Sequence, residues 1–224
     1  MLIAGELGIS GFDFVVASVQ PQEPMMFAKI ILLAALCAYL SIIYCSSIHH
    51  AMRFYTEIFK NPYLRICVGA CSVIIISLIL NTSDYNCAGM SMIYKALAGE
   101  ARSYDFILKL ILTAMTIGCG FKGGEIIPTL FIGSTFGCAI APLLCMDPVF
   151  TAEICLIAMF CGAVNCPLTS ILLSVELFGS QNFIFFGLAA AVSYMLSGYY
   201  SLYSGQKFMN SKLIPVPFER SAVK

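Results

Sequence analysis

The stretch F-K-G-G-E-I-I-P-T-L-F-I-G, from Phe121 to Gly133, decides how the rest of the sequence is interpreted. Two glycines precede a glutamate, Pro128 follows three residues later, and a long apolar run continues from there. Proline is tolerated in the first turn of a helix, where its missing N–H group costs little. The stretch therefore predicts a structural turn followed by a helix that begins near Ile126, with an acidic residue at its start.

The backbone amides at the start of this predicted helix are available to a ligand. The first N–H groups of a helix have no acceptor within it, and the helix dipole places partial positive charge there. In this helix they belong to Glu125, Ile126 and Ile127. Gly123 and Gly124 would let the backbone turn sharply and let another group approach closely. The sequence therefore predicts an anion site at these amides, with Gly124 among its anion-binding residues.

A glutamate at such a site has three possible roles. Glu125 caps the helix terminus, or it occupies the anion site until an anion displaces it, or it takes up a proton when an anion binds. The third role follows because two nearby negative charges repel each other. An ionisable residue within membrane segments is a functional candidate in its own right, so Glu125 is also a candidate for coupling protons to anions.

The composition indicates an integral membrane protein. Of the 224 residues, 60% are apolar and 11% are charged, whereas soluble domains carry about 25% charged residues. The 12 basic and 12 acidic residues balance, which argues against a nucleic acid partner. We expect one membrane domain over residues 1–224, with a polar cytoplasmic tail at 205–224.

The sequence lacks the usual signs of enzyme or metal chemistry. The eleven cysteines lie mostly in apolar runs, without C-x-x-C pairs or Cys/His ligand spacing. There is no H-E-x-x-H motif, nucleophile elbow or Gly-rich phosphate loop. We therefore expect no enzymatic activity, no metal site, no cofactor and no disulfide framework.

Apolar runs between polar or proline-containing breaks predict the helices. A helix needs about 20 apolar residues to cross a bilayer, and several runs here are shorter. The predicted segments are Met25–Phe59, Tyr63–Leu80, Ala88–Leu97, Tyr104–Ile117, Ile126–Leu144, Ala152–Val164, Leu168–Phe178 and Phe183–Leu196. The half-length runs on either side of N-C-P, which ends at Pro167, predict a second structural turn. Such broken helices point to an ion or substrate site.

Loop charges predict the orientation in the membrane. Basic residues cluster in the 49–65 loop and in the tail, whereas the 82–90 loop has none. By the positive-inside rule, the 49–65 loop and the C-terminus lie in the cytoplasm.

Three motifs resemble those of one family. The stretch from Phe121 to Gly137 resembles the anion-binding segment of the CLC chloride channels and transporters, and F-K-G-G-E with its later proline resembles the bacterial fluoride-exporting branch. N-C-P-L-T-S-I-L-L-S-V-E-L-F, Asn165 to Phe178, is similar to the family's next broken helix pair. L-Y-S, Leu202 to Ser204, resembles the segment with a tyrosine before the family's last helix. The resemblance covers roughly residues 25–210.

The resemblance implies an all-α membrane fold of tilted transmembrane helices and re-entrant half-helices. It implies that the amides of Ile126 and Ile127 and the hydroxyl of Tyr203 donate to a central anion, and that Glu125 couples fluoride to protons. It also implies a homodimer through 166–177 and 182–197. Ile127 departs from the branch, which often has a threonine there.

The resemblance is to the C-terminal half of the family's inverted repeat. The gating-glutamate segment G-x-E-G-P and the loop G-S-G-I-P have no counterpart in the sequence. Such a chain pairs with a separate N-terminal half, is a truncated product, or has lost transport. The expected function is fluoride/proton antiport. The alternatives are a chloride channel or chloride/proton antiporter, and a non-transporting half-length membrane subunit.

Overall fold

The computed structural model of the chain describes residue 14 and residues 16–82, 84–203, 205–212 and 217–222. These residues form eight α-helices, numbered here in chain order. Their bounds are α1 Pro24–Ile58, α2 Pro62–Leu80, α3 Met90–Leu97, α4 Asp105–Gly118, α5 Ile126–Leu144, α6 Pro148–Val164, α7 Pro167–Phe178 and α8 Phe183–Leu196. The all-α membrane fold predicted from the sequence is confirmed.

The start of α6 differs from its prediction. We expected M-D-P to close α5 and α6 to begin at Ala152, but α6 begins at Pro148. The Asp147 side chain accepts a hydrogen bond from the Phe150 amide at 3.2 Å, so this motif caps α6. Cys145, with a left-handed φ of 48°, ends α5 instead.

Helix α6 forms the centre of the molecule. Every residue from Phe150 to Val164 is buried, with α1, α5, α7 and α8 packed around the helix. On α5, Gly133 and Gly137 allow an unusually close approach. A Cβ at Gly137 would lie 2.5 Å from the carbonyl oxygen of Thr151 and 2.7 Å from Ala152 Cα. The spacing of these two glycines therefore fixes how deeply α5 sits against α6.

By contrast, α2 lies at the periphery. Gly69 is the buried position on this helix, where the backbone passes so close to Cys119 that a Cβ would meet its Sγ at 2.2 Å. Within the described part of the chain, three helices have the length and apolar composition to cross a membrane: α1, α2 and α5. The helices α6, α7 and α8 are shorter apolar helices.

The chain breaks between α6 and α7, as N-C-P predicted. Asn165 ends α6 in a left-handed conformation with a φ of 60°, and Pro167 opens α7. The Asn165 side chain donates to the Tyr200 carbonyl at 2.7 Å. The break is therefore tied to the segment that follows α8.

The tail contains structure that the sequence analysis did not predict. Lys207–Asn210 (β1) pairs antiparallel with Pro217–Ser221 (β2). Lys212, between the strands, donates to the side chain of Asn165 and to the Tyr194 carbonyl. Residues 1–13, which include the start of the chain, lie outside the described residues, as do Ser204 of the L-Y-S motif and Lys224.

Candidate anion site at the start of α5

The first two amides of α5 are without hydrogen-bond acceptors in the described structure. Helix α5 begins at Ile126, and the first recorded backbone bond runs from the Thr129 amide to the Glu125 carbonyl at 3.3 Å. Pro128 has no N–H group and is buried, so it leaves no donor unsatisfied. The predicted donors, the amides of Ile126 and Ile127, are therefore available to a ligand.

The orientation of the first turn of α5 is fixed by one hydroxyl from α5 itself and one from another helix. The Glu125 carbonyl accepts from the Thr129 hydroxyl at 2.8 Å and from the Tyr44 hydroxyl at 3.4 Å. Because a peptide group is planar, the position of this carbonyl also sets the direction of the Ile126 N–H group. Two hydroxyl donors thus hold one of the two available amides in place.

The Glu125 side chain does not cap the helix. Its carboxylate makes no hydrogen bond to the α5 amides, and the side chain is half-buried. Of the three roles that the sequence left open, capping is wrong in this structure. The Glu125 carboxylate therefore leaves the α5 amides without a hydrogen-bonded cap.

The turn before α5 is built differently from the prediction. Gly123 and Gly124 do not have a positive φ, and a Cβ on either would meet nothing within 4 Å. The left-handed residue is Gly120, with a φ of 106°. There a Cβ would lie 3.2 Å from the guanidinium of Arg65, which also donates to the Cys119 carbonyl. The left-handed residue before α5 is thus Gly120, and the close approach expected at Gly123 and Gly124 stays a prediction.

Tyr44 is a site residue that the sequence analysis missed. It lies within the long α1 run, where nothing distinguishes it from a packing aromatic, yet it is fully buried and its hydroxyl reaches the Glu125 carbonyl. A buried phenol hydroxyl ordinarily needs a polar partner. That requirement was the available signal, but the partner is 81 residues away and only the fold reveals it.

Tyr203 approaches the same region from the other end of the chain. Tyr44 lies close enough to interact electrostatically with both Glu125 and Tyr203. The Leu202 amide donates to the Ala163 carbonyl at 3.1 Å, which anchors the Tyr203 segment to the end of α6. The Tyr203 segment is thus held at the end of α6, and donation by the Tyr203 hydroxyl to an anion in front of α5 stays a prediction. In the described residues after Tyr203, a strand follows instead of the family's last helix.

The site is open on one face of this chain. The side chains of Ile126, Ile127 and Tyr203 are 41%, 37% and 43% exposed. The residues that carry the two amides are therefore accessible in the described structure. The arrangement suits a small anion, which amide N–H groups and hydroxyls bind through hydrogen bonds.

The described residues offer no alternative centre for a metal. No group of three or more His, Cys, Asp or Glu side chains in them is placed to hold an ion. All eleven cysteines are free thiols, so no disulfide links the elements that form the site.

Comparison with known proteins places these features in a family. The family model described as voltage gated chloride channel matches residues 3–198. A crystal structure of a CLC-type fluoride/proton antiporter superposes with a TM-score of 0.85 at 28% identity, covering 90% of this chain and 51% of that one.

Two curated relatives support the same assignment. The chloride/fluoride channel protein of Pseudomonas syringae pv. tomato is 26% identical over 211 residues, covering 92% of this chain and 47% of the relative. The H(+)/Cl(-) exchange transporter ClcA of Vibrio parahaemolyticus is 26% identical over 184 residues, covering 75% and 39%. The chain therefore spans about half the length of these proteins or less. The match over most of its residues shows that the chain is a membrane protein of the voltage-gated chloride channel family.

Proposed function

We propose that this chain forms part of an anion transporter that exports fluoride in exchange for protons. The observation that carries the proposal is the pair of acceptor-free amides at Ile126 and Ile127 at the start of an apolar helix. In surroundings of low dielectric, such donors attract an anion more strongly than they would in water. The ion would bind in front of the first turn of α5.

The neighbouring hydroxyls support this binding mode. The Tyr44 hydroxyl is already directed at the Glu125 carbonyl, whereas Tyr203, on the segment after α8, would supply a hydroxyl donor from the tail side. We assign Tyr203 a direct role in holding the ion and Tyr44 a positioning role. The similarity to a fluoride/proton antiporter and to a chloride/fluoride channel protein agrees with an anion as the transported species.

Glu125 is the proposed proton-coupling residue. Its carboxylate lies at the amide turn without capping it, so an arriving anion would face a second negative charge. Protonation removes that repulsion and converts the side chain into an O–H donor. A proton would thus bind to Glu125 together with the anion, and exchange requires that the two then leave the site toward opposite sides of the membrane.

Fluoride fits this mechanism better than chloride does. Fluoride is the more strongly hydrated halide, and a carboxylic acid O–H is a stronger donor to it than amides alone. The second candidate is chloride transport, which is favoured by Ile127, since no hydroxyl stands where the fluoride branch often has one. The similarity to an H(+)/Cl(-) exchange transporter also supports this candidate.

The assembly proposed for this function is a homodimer through 166–177 and 182–197. Large apolar side chains on α7 and α8 are exposed in the single chain: Leu168, Leu172, Phe183, Ile184, Met195 and Leu196. A non-transporting half-length subunit would use the same surface for assembly alone. The proposed orientation places the C-terminus in the cytoplasm.

Ion flux from proteoliposomes tests the function. Vesicles that contain the purified protein are loaded with potassium fluoride or potassium chloride, and valinomycin is added to balance charge. Fluoride, chloride and pH electrodes then record efflux and proton uptake together. We expect fluoride efflux with coupled proton uptake, and we expect Glu125→Gln to abolish the proton component. Glu57→Gln, at an exposed position near the end of α1, is the matched control.

Each other outcome favours a different function. Efflux of chloride in preference to fluoride supports the second candidate, and absence of any flux supports the non-transporting subunit. A Glu125→Gln variant that retains full proton-coupled flux would refute the role of Glu125. Cross-linking of cysteines introduced on the exposed face of α7 would test the dimer separately.

A further inference from the structure

A cavity of about 720 Å³ adjoins the start of α5 on the side of α2 and α4. Gly123, Gly124 and Ile127 line it together with Lys109 and Thr113 of α4. The loop between α2 and α3 supplies another wall. The cavity therefore connects the candidate anion site with a polar part of α4 that the proposed function does not use.

Lys109 carries a buried positive charge in the wall of this cavity. The residue is 2% exposed, and its Nζ donates to the carbonyls of Tyr85 at 2.9 Å and Cys87 at 2.7 Å. An ammonium group has three N–H donors, so one remains after these two bonds. The ring of Phe131 lies 5.1 Å from Nζ, which provides a weak contact but no counter-charge.

No carboxylate comes within ion-pair distance of Lys109 among the residues that the structure describes. The nearest acid along α4, Asp105, is engaged elsewhere. It accepts from the Tyr85 hydroxyl at 2.7 Å and from the Arg102 amide at 2.9 Å. A buried charge is costly in free energy unless an opposite charge pairs with it. The Lys109 ammonium has no such counter-charge among the described residues.

Thr113 adds a free hydroxyl to the same wall. It lies one turn after Lys109 on the same face of α4, and it is 7% exposed. Its hydroxyl makes no hydrogen bond to the described residues. Thr116, which also lines the cavity, differs because its hydroxyl donates to the Leu112 carbonyl at 2.7 Å. The Thr113 hydroxyl thus lies at the cavity without an acceptor in the described residues, beside a cation without a counter-ion.

We propose that Lys109 and Thr113 form a second anion site, in which a small monovalent anion binds beside the amides of α5. This proposal rests on the proposed function and extends it with a second position at which the transported anion binds, before or after the α5 amides. The third N–H of Lys109 and the Thr113 hydroxyl would donate to the anion, and the ammonium charge would balance it.

Anion binding to the purified protein tests the second site. Sodium fluoride and sodium chloride are titrated separately by calorimetry, with sodium gluconate as the ionic-strength control. We expect two anions per chain in the unaltered protein. Thr113→Val, which preserves shape and removes no recorded protein contact, should raise the dissociation constant of one site about tenfold. Thr116→Val, which removes a hydroxyl already used within the helix, should leave both sites intact.

Lys109→Met provides the stronger test and needs a check on folding. We expect it to reduce the stoichiometry from two anions to one, while Lys95→Met at an exposed position on α3 leaves it at two. Because Lys109 also holds two loop carbonyls, its loss can destabilise the protein, and thermal unfolding would report this. The Thr113→Val result keeps the test decisive if Lys109→Met does not fold.

The outcomes separate the second site from the proposed function. One anion per chain, unchanged by Thr113→Val and Lys109→Met, overturns the second site and leaves the α5 site in place. One anion that these substitutions weaken or remove supports the second site and overturns the site at the α5 amides. Absence of binding in the unaltered protein overturns both.

Discussion

Replacing Thr129 with valine should weaken anion binding at the start of α5 without changing any group that touches the ion. The Thr129 hydroxyl donates to the Glu125 carbonyl at 2.8 Å, and that carbonyl shares a planar peptide group with the Ile126 N–H. Valine has the same shape but no hydroxyl. The peptide group then loses its shortest recorded hydrogen bond and is less firmly directed at the anion.

The magnitude follows from the energy of the lost bond. One hydrogen bond of this kind contributes about 1 kcal/mol. Without it, binding of the anion must itself orient the peptide group, which costs at most that free energy. The dissociation constant should therefore rise up to about fivefold, since 1.4 kcal/mol corresponds to tenfold. Tyr44→Phe removes a longer bond of 3.4 Å and should have a smaller effect, of about twofold.

Thr135→Val is the matched control on the same helix. Thr135 is as fully buried as Thr129, and its hydroxyl makes the same kind of bond, to the Phe131 carbonyl at 2.7 Å. Both valine variants should lower the free energy of unfolding by about 1 kcal/mol. Calorimetric titration with sodium fluoride should show the loss of affinity in Thr129→Val alone.

Two results would refute this reasoning. Equal losses of affinity in Thr129→Val and Thr135→Val would mean that general loosening of α5, rather than the Glu125–Ile126 peptide group, weakens the site. An unchanged dissociation constant in both Thr129→Val and Tyr44→Phe would mean that the Ile126 amide does not bind the anion.

Three further predictions concern stability. Gly137→Ala should destabilise the protein by about 1–3 kcal/mol in thermal unfolding, because the new Cβ would lie 2.5 Å from a carbonyl oxygen of α6; an unchanged midpoint would contradict the close packing. Asp147→Ala should cost about 1 kcal/mol, since it removes the cap on the Phe150 amide, and a chemical-denaturation curve that matches the unaltered protein would contradict this. Burial lowers the pKa of Lys212 to about 8, whereas a lysine in the unfolded chain loses its proton near pH 10.4. Between these pH values the folded state binds fewer protons than the unfolded state, so the free energy of unfolding should rise from pH 8 to pH 10. This rise should be smaller in Lys212→Met and unchanged in Lys95→Met.

Most helix boundaries were predictable because they are set by local chemistry. Proline at the first turn marks the starts of α2 and α7, and the apolar runs of α5 and α8 end at the predicted residues. The start of α6 was mispredicted because Asp-Pro can follow one helix or open the next. The choice depended on the Asp147 side chain reaching the Phe150 amide, which the sequence pattern alone does not decide.

The candidate site was predictable in part. The amides of Ile126 and Ile127 follow from the position of a proline in a first turn, and Tyr203 followed from the family resemblance. Tyr44 could not be found, because its hydroxyl becomes important only through contact with a carbonyl 81 residues away. The position of the left-handed turn also depended on tertiary structure, since the Arg65 guanidinium lies against Gly120 and donates to the Cys119 carbonyl.

The burial of α6 changes how sequence variation in this helix should be judged. From Phe150 to Val164 every residue is buried within the described structure, although the composition of this stretch is that of a lipid-facing segment. Whether a substituted side chain is tolerated at these positions depends on its volume and shape. Hydropathy scales, which rank residues by their transfer into lipid, are the wrong measure for these fifteen positions.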